Sequence, residues 1–244
     1  MLIQVDLRQV VYALSDALDL VGVNDFYHGK RVSLMAVGVA RTLGMDDATR
    51  DKLFNAGLLH DCGVSSTAIH QHLVEEMDWA GSQDHCEIGY RLLASFSYLR
   101  SLAPLVLYHH THWNDFARMD VAPEIARFAN LIFLADRADA LSAPHLGPEL
   151  LLHKQSILDT LAGYRGTMFA PDLLDAFLET ARADAFWLVL EPRHIQNFLG
   201  DMLHHNIHLS GQGGGFIYGD ALLKGGGRDL GKNFYLKPAL LQLR

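Results

Sequence analysis

Cysteine is scarce: the 244 residues hold two, Cys62 and Cys86. Two thiols cannot make a disulfide framework, so the fold is expected to stand on its core in a reducing compartment, the cytoplasm. The start lacks a basic stretch followed by an apolar run, and no signal peptide is expected. No run approaches the roughly 20 apolar residues that a spanning helix needs, which argues against a membrane location. Basic charge is also short. The net charge of −8 and a pI near 5.9 argue against a nucleic-acid surface. They leave room for a small anionic substrate, because bound cations reverse the local field. No strand alternation precedes the tail and no internal repeat is found. Gly213–Gly215 and Gly225–Gly227 are not followed by G-K-[ST], so neither is a phosphate loop.

What is present is a half-hydrophobic chain, enough for one large core. The spacing is helical nearly throughout. Val32, Met35, Ala36, Val39, Ala40 and Leu43 mark one face of a helix that Gly44 ends, and Asp46 is placed to cap the next. A third helix is expected from Asp84, a fourth from Pro104, and a fifth entered through Pro123. Further helices are expected near 147–162, 171–187 and 192–205. Nine of the 21 residues from Gly211 to Gly231 are glycine, and from Gln212 to Arg244 five Lys or Arg face two Asp. The chain thus divides into an all-α domain over 1–208 and a Gly-rich, locally basic tail over 209–244, read as an extension.

Fourteen histidines stand out, and several fall on apolar stripes. Asp136 continues the stripe of Ile132 and Phe133. His60, with Asp61 beside it, continues Leu53, Ala56 and Gly57. His85 opens the stripe of Ile88, Gly89, Leu92, Leu93 and Phe96. His109 and His110 follow Val106 by three and four, and His28 precedes Val32 by four. An unpaired buried carboxylate is very costly, so five histidines and two aspartates aimed inward need one common cause. A cluster of cations supplies it. Imidazole and carboxylate suit Fe or Mn, with Zn, Ni or Mg as alternatives, and seven ligands exceed one tetrahedral site but suit two ions sharing a carboxylate. The competing reading is a polar core network bonded to backbone. The other nine histidines (70, 72, 112, 145, 153, 194, 204, 205 and 208) lack this placement and read as solvated or capping.

The order of these motifs resembles the HD-GYP family of HD-superfamily phosphohydrolases. His28 with Arg31 and Val32 resembles H-x-x-R-V, and Leu58 to Gly63 resembles L-L-H-D-I-G. His85, Gly89 and Leu92-Leu93 are similar to H-x-x-x-G-x-x-[IL]-L. Tyr108-His109-His110 resembles the double-histidine motif, Ala135 to Leu141 resembles A-D-x-x-D-A-L, and 169–178 resembles F-x-P-x-x-x-x-A-F-L. The likeness spans roughly residues 7–190. It implies an all-α HD-domain bundle and hydrolysis of cyclic di-GMP by a metal-bound hydroxide. One divalent ion would sit among His28, His60, Asp61 and Asp136. A second would sit among His85, His109 and His110, with Asp61 bridging. Some members hold a third metal through a Glu at the position of Asn24, so two metals are expected here.

There are departures as well. Val64 stands for a lysine, Thr111 for a glutamate, and Trp113 to Arg118 for the D-G-x-G-Y-P loop; the arginine expected within Ser142–Gly147 is missing. Arg31 and Arg118 are the substitute phosphate contacts to examine, each with a helix-surface salt bridge as the alternative. Cys62 adjoins the site but reads as a small core residue. Three functions follow: an unconventional cyclic di-GMP phosphodiesterase, an HD phosphohydrolase for another nucleotide, or a catalytically weak metal-containing signalling module. A homodimer or a signalling partner is compatible with each.

Overall fold

The computed structural model describes residues 2–19, 27–79, 81–147, 149–195 and 206–210. Its frame is helical: α1 (Leu7–Asp19), α2 (His28–Thr42), α3 (Asp47–Leu59), α4 (Thr67–Glu75), α5 (Ser82–Ala94), α6 (Ala103–Leu107), α7 (Pro123–Ser142), α8 (Leu150–Ala162), α9 (Pro171–Thr180) and α10 (Asp184–Leu188). A helix apolar all round belongs inside, and two come close to that description. In α2 the residues from His28 to Val37 are buried on every face. In α7 the same holds from Phe128 to Asp139. The two pack on each other; α1, α3 and α9 close around α2, and α6, α8 and α9 around α7. Among the described residues no helix is long and apolar enough to cross a membrane.

Local chemistry sets the boundaries. Gly44 takes φ 67°, the left-handed turn that ends α2. Asp46 then caps α3 by accepting from the Thr49 amide at 2.8 Å. Pro171 opens α9, where buried Asn130 of α7 holds the entry: its amide donates to Met168 O at 2.7 Å and its oxygen accepts from Ala170 N at 2.8 Å.

The helix expected over 171–187 is two. The chain breaks after Thr180, and the Trp187 indole donates to Ala181 O at 2.7 Å across the break. Spacing had not marked α1 or α4. Only 192–195 of the helix expected to reach 205 is described, and it is helical. The helical frame carries one addition, a two-stranded antiparallel ribbon of β1 (Leu2–Asp6) with β2 (Asn206–Ser210), pairing Leu2 with Ser210 and Asp6 with Asn206. Five-residue strands are too short for alternation to stand out. Beyond Ser210, the Gly-rich tail lies outside the described residues, as does Asn24.

Candidate metal centre

Five chain segments deliver the seven residues singled out above. His28 is the first residue of α2, preceded by Tyr27 in the left-handed region at φ 74°. His60 and Asp61 occupy the turn that leaves α3, His85 the first turns of α5, His109 and His110 the turn after α6, and Asp136 the middle of α7. Gly63 makes the approach possible. A Cβ there would overlap the His85 carbonyl oxygen and lie 2.6 Å from Gly89 N, so only glycine lets the His60–Gly63 turn rest on α5.

The side chains converge in two groups, Asp61, His85, His109 and His110 in one and His28, His60 and Asp136 in the other. Within each, one ligating atom per residue lies within 4.8 Å of the others. Asp61 faces both. Its Oδ1 is 3.3 Å from His85 Nε2 and 3.7 Å from His109 Nε2, while Oδ2 is 3.5 Å from His60 Nε2 and 3.7 Å from His28 Nε2. Asp136 Oδ1 lies 3.3 Å from His28 Nε2 and 3.7 Å from His60 Nε2, and its Oδ2 is 3.8 Å from His110 Nε2.

The imidazoles test whether a cation fits. His28 Nδ1 meets the Asp139 carboxylate at 2.8 Å, His60 Nδ1 the Gly57 carbonyl at 2.8 Å, and His109 Nδ1 the Val106 carbonyl at 2.7 Å. A carbonyl only accepts, so Nδ1 carries the proton in His60 and His109, and the same assignment suits His28 against an ionised Asp139. In these three rings the Nε2 lone pair then points inward. His28 Nε2 is 3.2 Å from His60 Nε2, and His85 Nε2 is 3.2 Å from His109 Nε2. Two lone pairs at that distance repel unless a proton or a metal ion lies among them. Asp61 Oδ1 and His85 Nδ1 are also buried without a hydrogen bond. These donors fit divalent cations.

Electrostatics point the same way. Burial pushes Asp136 upward, but Arg137, His28 and His60 outweigh it and hold its carboxyl well below the usual carboxylate range. Burial likewise opposes ionisation of Asp61, and His60, His109 and His85 overcome it. Burial lowers His109 to about 4 and, with His109 beside it, drives His110 well below the usual imidazole value. Ionised carboxylates and neutral imidazoles are the forms that bind metal. His60 differs. Burial acts to lower it, yet Asp61 and Asp136 outweigh burial and raise it.

Two residues that contact this cluster escaped the sequence reading. Asp139, fully buried, accepts from His28 Nδ1 and also from Arg31 Nε at 2.6 Å and Nη2 at 2.8 Å. Its signal was available: it lies three residues past Asp136, on the same helix face. Arg137 binds Asp136, and its position beside that carboxylate gave no signal. Arg31, read as a phosphate contact or a surface salt bridge, is instead 3% exposed and committed to Asp139. Arg118 is exposed at the end of the 3-10 helix Trp113–Arg118. Val64 and Thr111, at the family's lysine and glutamate positions, are buried. Burial, with Asp61 next to it, pushes the Cys62 thiol up to about 12, which leaves it unionised at neutral pH.

Of the nine remaining histidines, none joins either group among the described residues. His72 stacks on Trp79, His112 pairs with Asp78 at 3.2 Å, and His145 stacks on His153 with centroids 3.6 Å apart.

Residues 25–141 match the family described as HD domain. The chain is 33% identical over 196 residues to 3'3'-cGAMP-specific phosphodiesterase 1 of Vibrio cholerae, covering 79% of this chain and 46% of that protein. It is 24% identical over 162 residues to a cyclic di-GMP phosphodiesterase of Thermotoga maritima, covering 62% and 43%. It thus spans less than half the length of these relatives. The crystal structure of a V. cholerae cyclic GMP-AMP specific phosphodiesterase superposes with a TM-score of 0.64 at 16% identity, covering 84% of this chain and 56% of that one, a likeness of fold.

Proposed function

We propose that this chain, whose residues 25–141 belong to the HD domain family, hydrolyses a phosphodiester bond of a cyclic dinucleotide at a two-ion centre. Asp61 carries the reading, because it turns one oxygen to each histidine group, as a shared ligand of two ions must. His28, His60 and Asp136 would hold one ion and His85, His109 and His110 the other, with Asp61 between them. When bound, divalent ions supply an activated water and offset charge developing on the phosphate. The chain's own work is positioning. Asp139, Gly57 O and Val106 O fix three imidazole tautomers and ring planes, and the core helices α2 and α7 exclude bulk water behind the ligands. Neither Cys62 nor any serine is needed as nucleophile. Arg118 is the exposed cation that we assign to a substrate phosphate.

The relatives' names favour 3'3'-cGAMP over the cyclic di-GMP that the motifs imply. Incubation with each dinucleotide and added Mn(II) or Fe(II), followed by product chromatography, tests this. We expect faster turnover of 3'3'-cGAMP and a raised KM in Arg118→Ala. No product from either substrate with any metal would overturn the hydrolase reading. A second reading, a binding module with weak turnover, draws on one observation: Val64 is buried where the family places a lysine, so the chain has lost that cation. Tight dinucleotide binding without products would support it.

A further inference from the structure

Asp136 has a second partner besides the histidines. Arg137 Nη2 and Nε both reach its Oδ2, at 2.7 and 3.1 Å, and Arg137 Nη1 donates to the carbonyl of Glu76 at 2.8 Å. Both members of the pair are buried, Asp136 at 2% and Arg137 at 3% exposure. Glu76 is where the chain leaves α4 in extended conformation, with φ −104° and ψ 125°. One guanidinium therefore ties a ligand on α7 to the end of α4. Neighbouring residues on a helix point about 100° apart, so this contact needs the long arginine stem to fold back along the helix.

We infer that Arg137 is a positioning residue of the metal centre, holding one oxygen of Asp136 so that the carboxylate presents only its other oxygen to the ion. That other oxygen, Oδ1, is the one aimed at His28 and His60. Two N–H donors converge on Oδ2 and occupy it, which leaves Oδ1 as the oxygen free for an ion. Arg31 supports Asp139 by a different grip, Nε on Oδ1 and Nη2 on Oδ2, holding that carboxylate against the His28 ring. This inference rests on the reading of the cluster as a metal centre.

The sign of one measurement decides it. A buried cation beside a dication repels it, so if Arg137 acted only as a charge its removal would tighten metal binding. A positioning role makes binding weaker. Mn(II) affinity of the full chain is measured by competition with a chromophoric chelator. Arg137→Met is expected to bind about 10- to 100-fold more weakly than wild type, the usual effect of losing such a supporting contact. Arg137→Lys keeps the charge but loses the paired donors on Oδ2, and is expected to weaken binding too, which supplies the result if Arg137→Met does not fold. Leu161→Ala, a core truncation in α8, separates general destabilisation from the specific effect and should keep wild-type affinity. In Co(II)-loaded protein, the visible spectrum should change in Arg137→Lys and not in Leu161→Ala. Unchanged or tighter Mn(II) binding in the Arg137 variants would overturn the inference. A wild-type chain that binds no Mn(II) would instead overturn the metal centre itself, a distinct outcome.

Discussion

A single carboxylate, Asp139, decides how His28 faces the centre. It is fully buried, and its oxygens serve the Arg31 guanidinium and the imidazole together. Burial alone would raise its pKa; Arg31 first and His28 after it reverse that, so the group stays ionised. Replacing Asp139 by Ala breaks a buried ion pair with Arg31, which costs about 3–5 kcal/mol. It also frees the His28 ring. Calorimetry and metal titration should therefore both register the change, with melting temperature and metal affinity falling together. An unchanged affinity would mean that His28 is not a ligand held in place by this bond. At this scale the sequence was informative where a polar side chain continued an apolar stripe, as at His60 and Asp136. It was uninformative where a long side chain doubled back on its neighbour, as Arg137 does, because spacing says nothing about rotamers.

At the scale of elements, contact between turns and helices brings the candidate ligands together. Gly63 lies under α5, and the missing Cβ is what allows the His60–Gly63 turn to touch the His85 carbonyl. Gly63→Ala forces the turn off α5, an overpacking cost of at least about 1–3 kcal/mol. It should lower metal retention more than a core truncation of equal stability cost, measured by metal analysis after dialysis. Helix α3, which ends just before His60, begins at the Asp46 cap. Side-chain and backbone hydrogen bonds from Thr49 hold the Asp46 carboxyl below its ordinary value of 3.8. A depressed folded-state pKa contributes stability above the unfolded value and loses it as pH falls through the folded one. The melting-temperature gap between wild type and Asp46→Ala should therefore be full at neutral pH and close below pH 3.8. A gap that persists into strong acid would show that the cap's charge is irrelevant. Caps and stripes made α2, α3 and α7 readable in advance. Helix α4 is nine residues long and β1 five, and neither gives periodicity enough turns to register. The split of 171–187 into α9 and α10 depends on the Trp187 indole reaching Ala181, a tertiary bond that no local pattern encodes.

For the whole molecule, charge is the organising quantity. The chain carries −8, yet the centre gathers three carboxylates, Asp61, Asp136 and Asp139, against two guanidiniums, Arg31 and Arg137. With neutral imidazoles that leaves one negative charge, which two dications would turn into three positive. An acidic protein would thereby present a locally cationic floor to an anionic dinucleotide. The fold serves this arrangement by packing α2 on α7 at the core and hanging the His60–Gly63 and Tyr108–His110 turns beside them. The sequence made the convergence of these groups legible, because burying so many ionisable groups has few physical explanations. It left the supporting arginines illegible, since Arg31 reads as a phosphate contact or a surface salt bridge until packing puts it at Asp139. Anomalous diffraction from crystals of the Mn-loaded chain tests the central claim most directly. Two peaks are predicted, one among His28, His60 and Asp136 and one among His85, His109 and His110, with Asp61 touching both. A single peak, or none, or an Asp61 that ligates only one ion, would contradict it.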